Sequence, residues 1–117
     1  MKNTRTQGNY ITKKLKLLQK RSDYIGDIRC PGLMIGVELV LDPETKKPAN
    51  SLASDLVEIA KDEYDVIFGL SAPITTDSGE LYRNVVKIKP PLIITREETD
   101  HVLEVFAESL EEAVDYL

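Results

Sequence analysis

Apolar residues fall at helical spacing early in the chain. Ile11, Leu15 and Leu18 recur among Lys13, Lys14, Lys16 and Lys20, which predicts a short amphipathic helix from Tyr10 to about Arg21. Residues 1–8 lie outside that pattern and read as a disordered or truncated remnant, as though a longer helix or a preceding domain had been cut away. Ile25 to Arg29 predicts a short strand. Cys30, Pro31 and Gly32 break it, and the apolar run from Leu33 to Leu41, with Glu38 its one charge, predicts a second strand across a tight turn. Asp42 to Lys47 has the Asp-Pro, Thr and lysine chemistry of an exposed connection. Asn50 or Ser51 is the expected N-cap of a helix reaching about Asp62, with Leu52, Leu56 and Ile59 as its buried stripe.

Val66 to Leu70 predicts another short strand, and Ser71 to Gly79, rich in Pro, Thr, Ser and Gly, a mobile loop. Val85 to Lys89 alternates Val86 and Ile88 with Lys87 and Lys89, a half-buried strand that Pro90 and Pro91 end by removing two ladder donors. Thr95 with Glu98 three residues on is a capping box. Val102, Val105, Phe106, Leu110, Ala113, Val114 and Leu117 then hold one apolar face of a final helix. The order predicts an α+β fold: a small, mainly antiparallel sheet with helices packed on one face, a single domain over residues 9–117.

Composition narrows the functions. The 117 residues, 42% apolar and 30% charged, suit one globular domain, and a net charge of -5 argues against a phosphate-backbone binder, so no nucleic acid is expected. The single cysteine, Cys30, cannot form an internal disulfide, and no apolar run approaches the roughly 18 residues of a membrane span. The expectation is a soluble chain in a reducing compartment, cytoplasm or organelle matrix, with no membrane partner and no targeting signal. His101, the one histidine, has no ligand-spaced neighbours, so it reads as solvated and no metal is expected. Asp62, Glu63 and Asp65, like Glu108, Glu111 and Glu112, read as solvated charge on helix ends and outer faces.

Two segments carry a resemblance. Residues 25–41, IGDIRCPGLMIGVELVL, are similar to the G-D-(I/V)-R-G-x-G-L pattern that opens the small domain of class III, fold-type I aminotransferases. Residues 84–95, NVVKIKPPLIIT, resemble the closing N-(V/I)-(I/L)-R-(I/F)-x-P-P-L pattern of the same family, including its alanine-glyoxylate aminotransferase 2-like and phospho-lyase-like branch. The resemblance covers about residues 9–117 and implies a C-terminal small domain.

It further implies a pyridoxal phosphate enzyme working as a homodimer, whose large domain supplies the cofactor lysine, the acid at the pyridine nitrogen and most of the phosphate cup. Without that domain this chain is expected to bind no cofactor and to be inactive, contributing substrate recognition and domain closure in a transaminase or a phospho-lyase. Lys87 stands where many relatives carry an arginine that grips the substrate carboxylate. A lysine is one point charge, not a fork, so the substitution implies a substrate without the usual α-carboxylate grip, or with its anion held elsewhere. An outward-facing lysine on a half-buried strand is the alternative.

Arg29, at the family's Arg-Gly pair, is a candidate for orienting a loop or meeting a carboxylate near the active-site mouth, with an ion pair across the domain interface as the alternative. Cys30 replaces the usual glycine and would be strained if its backbone required positive φ. Gly32 and Gly36 read as turn and close-packing residues, and Ser71, Thr75, Thr76 and Ser78 as candidates for the rim of the substrate entrance. A freestanding α+β interaction or regulatory module without activity remains the competing reading.

Overall fold

A computed structural model describes residues 2–30, 34–89 and 95–117. Alternation decides the sheet. In β2 (Ile35–Leu39) the residues Ile35, Val37 and Leu39 are buried while Gly36 and Glu38 are not, and in β6 (Val85–Ile88) Val86 and Ile88 are buried while Val85 and Lys87 are not. Registering Ile35 with Ile88 and Val37 with Val86 puts both buried sets on one face. With β1 (Ile25–Arg29) and β3 (Gly69–Leu70) this makes an antiparallel sheet ordered β1-β2-β6-β3. Its apolar face joins a single core with Ile11 and Leu15 of α1 (Lys2–Gln19), Leu52, Leu56 and Ala60 of α2 (Asn50–Tyr64), and Val105, Phe106 and Leu110 of α3 (Arg96–Asp115). The fold is α+β, as the pattern predicts.

Several boundaries differ. Residues 2–8, expected as a disordered or truncated remnant, belong to α1, with Gln7 and Gly8 buried. No apolar spacing announces this, because the contact is polar: Thr99 donates from its hydroxyl toward Gln7 Oε1 at 3.1 Å, joining α1 to α3. The strand expected from Val66 starts only at Gly69, since the Val66 N–H is used to close α2 on the Ala60 carbonyl at 3.0 Å and Ile67 is 83% exposed. The expected loop over 71–79 contains instead most of a hairpin, β4 (Ile74–Thr75) on β5 (Leu81–Tyr82), turned at Gly79 with φ 87°. Asn50 does not cap α2. Ala49 holds that position without a side-chain bond, and Asn50 clips the hairpin's return, donating to the Leu81 carbonyl at 2.9 Å and accepting the Arg83 N–H at 2.8 Å.

The capping box at Thr95 and Glu98 is present, with both reciprocal bonds made. The α3 apolar face holds to Ala113, but Leu117 is 56% exposed. The turn at Pro31 and Gly32 and the strand end at Pro90 and Pro91 lie outside the described residues.

Asn84 ties β6 to β2 from within the core: 4% exposed, it donates its amide to the Leu39 carbonyl at 2.8 Å while its own carbonyl accepts the Leu39 N–H at 2.8 Å. Asn84→Ala removes the first bond and leaves a void, and is expected to cost about 1–3 kcal/mol, read from the urea midpoint at unchanged slope. A shift below about 0.5 kcal/mol would show that the bond holds nothing.

Candidate functional site

The face of the sheet turned away from the helices carries the two candidate residues, Arg29 and Lys87. Because side chains alternate, Arg29 pairs with Gly36, Gly36 with Lys87, and Lys87 with Gly69. The four residues thus form one row across β1, β2, β6 and β3. Strands lie about 4.8 Å apart, so the Arg29 and Lys87 α-carbons stand about 10 Å apart over a glycine floor. The structure therefore brings the two candidate residues together on one surface.

Their electrostatic states differ. Arg29 Nε donates to Asp27 Oδ2 at 2.8 Å, and its Nη2 lies 3.7 Å from Glu38 Oε2. The hydrogen bond from Arg29, more than any other influence, holds the Asp27 carboxyl below its ordinary range, and Asp27 raises Arg29 in return. The arginine is thus engaged within its own sheet. Lys87 makes no ion pair or side-chain hydrogen bond among the described residues. Its stem runs beside Gly69, where an added Cβ would stand 3.3 Å from Lys87 Cβ and 3.9 Å from Cδ. Glycine at 69 therefore keeps the lysine's path open.

The sequence reading missed Gly69 as a member of this row, and Glu38, two residues along β2 from Gly36 on the same face, as the second acid beside Arg29. The alternation of Gly36 and Glu38 with Ile35, Val37 and Leu39 was the signal for Glu38, whereas Gly69 needed the pairing of β3 with β6.

The remaining candidates do not join the row. Cys30 is exposed, does not have positive φ, and sits beside Gly8 of α1, so the anticipated strain is absent. His101 is exposed on α3. Gly32 lies outside the described residues. Ser71 accepts the Val85 N–H through its hydroxyl at 3.3 Å, and Thr76 and Ser78 hydroxyls meet at 2.9 Å, so these groups serve the hairpin locally. A recess of about 710 Å³ lies between the ends of α1 and α3, lined in part by Leu18, Tyr24, Leu41 and Leu110, but neither Arg29 nor Lys87 reaches it. Among the described residues there is no His, Cys, Asp and Glu cluster suited to a metal ion, and no helix long and apolar enough to cross a membrane.

The acids expected to be simply solvated are not all so. A hydrogen bond shared with Glu63 across α2 and α3 raises the Glu112 carboxyl above its ordinary value, with desolvation and the charges of Glu63, Glu108 and Asp115 adding to the rise. A carboxyl raised in the folded state favours folding as pH falls through that raised value and opposes it above. Glu112→Gln is therefore expected to raise Tm at pH 7, with the gain vanishing below the ordinary Glu range. Equal Tm values at both pH extremes would dismiss the shared proton.

The family model described as "Aminotransferase class-III" matches residues 1–110. Among curated relatives, alanine–glyoxylate aminotransferase 2 homolog 2, mitochondrial, of Arabidopsis thaliana is 36% identical over 97 residues, covering 83% of this chain and 18% of that protein. Isoleucine 2-epimerase of Lentilactobacillus buchneri is 36% identical over 100 residues, covering 86% and 20%. The chain thus spans 18–20% of the length of these relatives. Among solved structures, a Bacillus anthracis aminotransferase superposes with TM-score 0.81 at 32% identity over 94% of this chain and 24% of that one. A Pseudomonas jessenii omega transaminase in complex with PMP gives TM-score 0.78 at 25% identity over 97% and 23%.

Proposed function

This chain belongs to the class-III aminotransferase family, whose members depend on pyridoxal phosphate, and from that premise we propose that it is the C-terminal small domain of such an enzyme. In that role the sheet face bearing Arg29 and Lys87 closes over an amine or amino acid whose amino group passes to a keto acid. The observation that carries this reading is the row Arg29, Gly36, Lys87, Gly69: two cations on an open face, separated by a residue with no side chain. Exposed Ile67, Ile74 and Leu81 support a covering partner for the same part of the chain, which we assign to the large domain of a homodimeric enzyme.

Within the described residues the cofactor itself does not fit. Its chemistry requires an amine beside its aldehyde, an acid at its ring nitrogen and a phosphate cradle. No carboxylate pairs with Lys87. The α3 N-terminus, which would otherwise attract a phosphate, is taken by Thr95 and Glu98 and carries acidic Glu97 and Glu98 in its first turn. What this chain's residues contribute is recognition and the exclusion of water.

Lys87 supplies one point charge for a substrate anion, while Arg29, held by Asp27 and Glu38, orients the edge of the face. A lost charge-assisted contact is worth about 1.5–3 kcal/mol, or roughly 10- to 100-fold. Lys87→Ala in the full-length enzyme should raise KM for an anionic substrate by that factor, change kcat less, and spare amines without an anion. Unchanged KM for every substrate would remove Lys87 from the site and leave it an outward-facing surface lysine.

A further inference from the structure

We propose that two charged surface rows, one basic along α1 and the residue just past its end and one acidic on α2, dock copies of this chain head to tail. Turned away from buried Ile11 and Leu15 are Lys13, Lys16 and Lys20, with Leu17 among them and 47% exposed. On α2, half-buried Asp55 and exposed Glu58 and Asp62 repeat the same spacing of three and seven residues, and half-buried Ile59 takes the place that Leu17 holds on α1. At 1.5 Å per residue both rows are about 10 Å long, so cations and anions match in number and span while Leu17 meets Ile59. Tyr116, 79% exposed, borders the acidic row and offers an aromatic face to a lysine ammonium.

None of the six charged side chains forms an ion pair among the described residues. Lys13 and Lys16 on α1 and Asp55, Glu58 and Asp62 on α2 set like charges three and four residues apart, at a mild cost to each helix. Lys61, three residues after Glu58, offsets that cost only in part, and a facing row of opposite sign relieves the rest. The occupant is a second copy because one chain carries both halves of the match. The two surfaces differ, so the contact is heterologous: every added copy leaves a basic row and an acidic row free, giving open strings of copies and not a closed dimer. A contact one helix wide lies below the usual size of a stable interface, and the net charge of -5 opposes it. Association is therefore weak and steeply salt-dependent.

The rows leave the outer sheet face untouched, so this inference stands or falls apart from the proposed function. The test is sedimentation of the full chain over a concentration series at about 0.02 and about 0.5 M salt, where screening shortens from roughly 20 Å to a few Å. The unmodified chain is expected to associate at low salt and at least about tenfold less at high salt. Lys13→Glu, Lys16→Glu, Lys20→Glu together, or Asp55→Lys, Glu58→Lys, Asp62→Lys together, should each abolish self-association. Their mixture should restore it, since one then carries acids and the other lysines on both helices, and this recovery also shows that both variants fold. A chain with all six reversals keeps its net charge and should associate like the unmodified one. A monomer at low salt, association that survives either reversal or high salt, or no recovery in the six-reversal chain overturns the proposal.

Discussion

Purified alone, the chain is expected to turn over no amine and keto acid pair and to form no stoichiometric yellow complex with pyridoxal phosphate that borohydride abolishes. The reason is positional. A cofactor-bound reaction requires an amine, an acid and an anion cradle fixed within ångströms of one another. Here Lys87 stands on an open sheet face with no carboxylate paired to it among the described residues, and the α3 N-terminus is closed by its own capping box. Adding a separately produced large domain is expected to restore turnover, because the exposed Ile67, Ile74 and Leu81 and the sheet row would then be covered. Transamination by a preparation shown by mass to contain only this polypeptide would defeat the proposed division of labour. Isolated surface lysines do react with the aldehyde, so saturation at one equivalent, not colour alone, is the criterion.

The sequence made the sheet legible where one face is buried and one is not. Ile35, Val37 and Leu39 alternate with Gly36 and Glu38, and that period locates β2 without further help. The α3 start was equally clear, because Thr95 and Glu98 satisfy the capping geometry between themselves and need nothing distant. What escaped the reading depends on contacts remote in the chain. Gln7 is buried against Thr99, which lies ninety-two residues away, so no local period marks the first turns of α1. Asn50 resembles a cap by type and position, yet its amide is used by Leu81 and Arg83 of the hairpin. The candidate site shows the same division. Lys87 and Arg29 were each visible through the motifs around them, but their placement on one row with Gly36 between them follows from strand register, which the one-dimensional pattern does not contain.

Phe106→Ala is expected to destabilise the chain by about 3–5 kcal/mol, a large part of the roughly 5–15 kcal/mol available to a domain of this kind. Phe106 is fully buried on α3, and its ring stands edge-on to Phe68, with centroids 5.7 Å apart and planes at 79°. Phe68 precedes β3, so this contact holds the helix layer against the sheet edge next to Lys87. Truncation removes the ring's apolar burial and leaves a void that α2, α3 and the sheet can only partly close. Of the loss, about 0.5–1.5 kcal/mol belongs to the ring pair itself, which a double-mutant cycle with Phe68→Ala isolates. His101→Ala, on the exposed side of the same helix, should stay within about 0.5 kcal/mol and so separates core packing from helix propensity. Urea unfolding of the five chains (unmodified, Phe106→Ala, Phe68→Ala, the double variant and His101→Ala) measures all of this. A Phe106→Ala cost near that of His101→Ala would mean that α3 is not seated on this core, and with it would go the support beneath the Lys87 row.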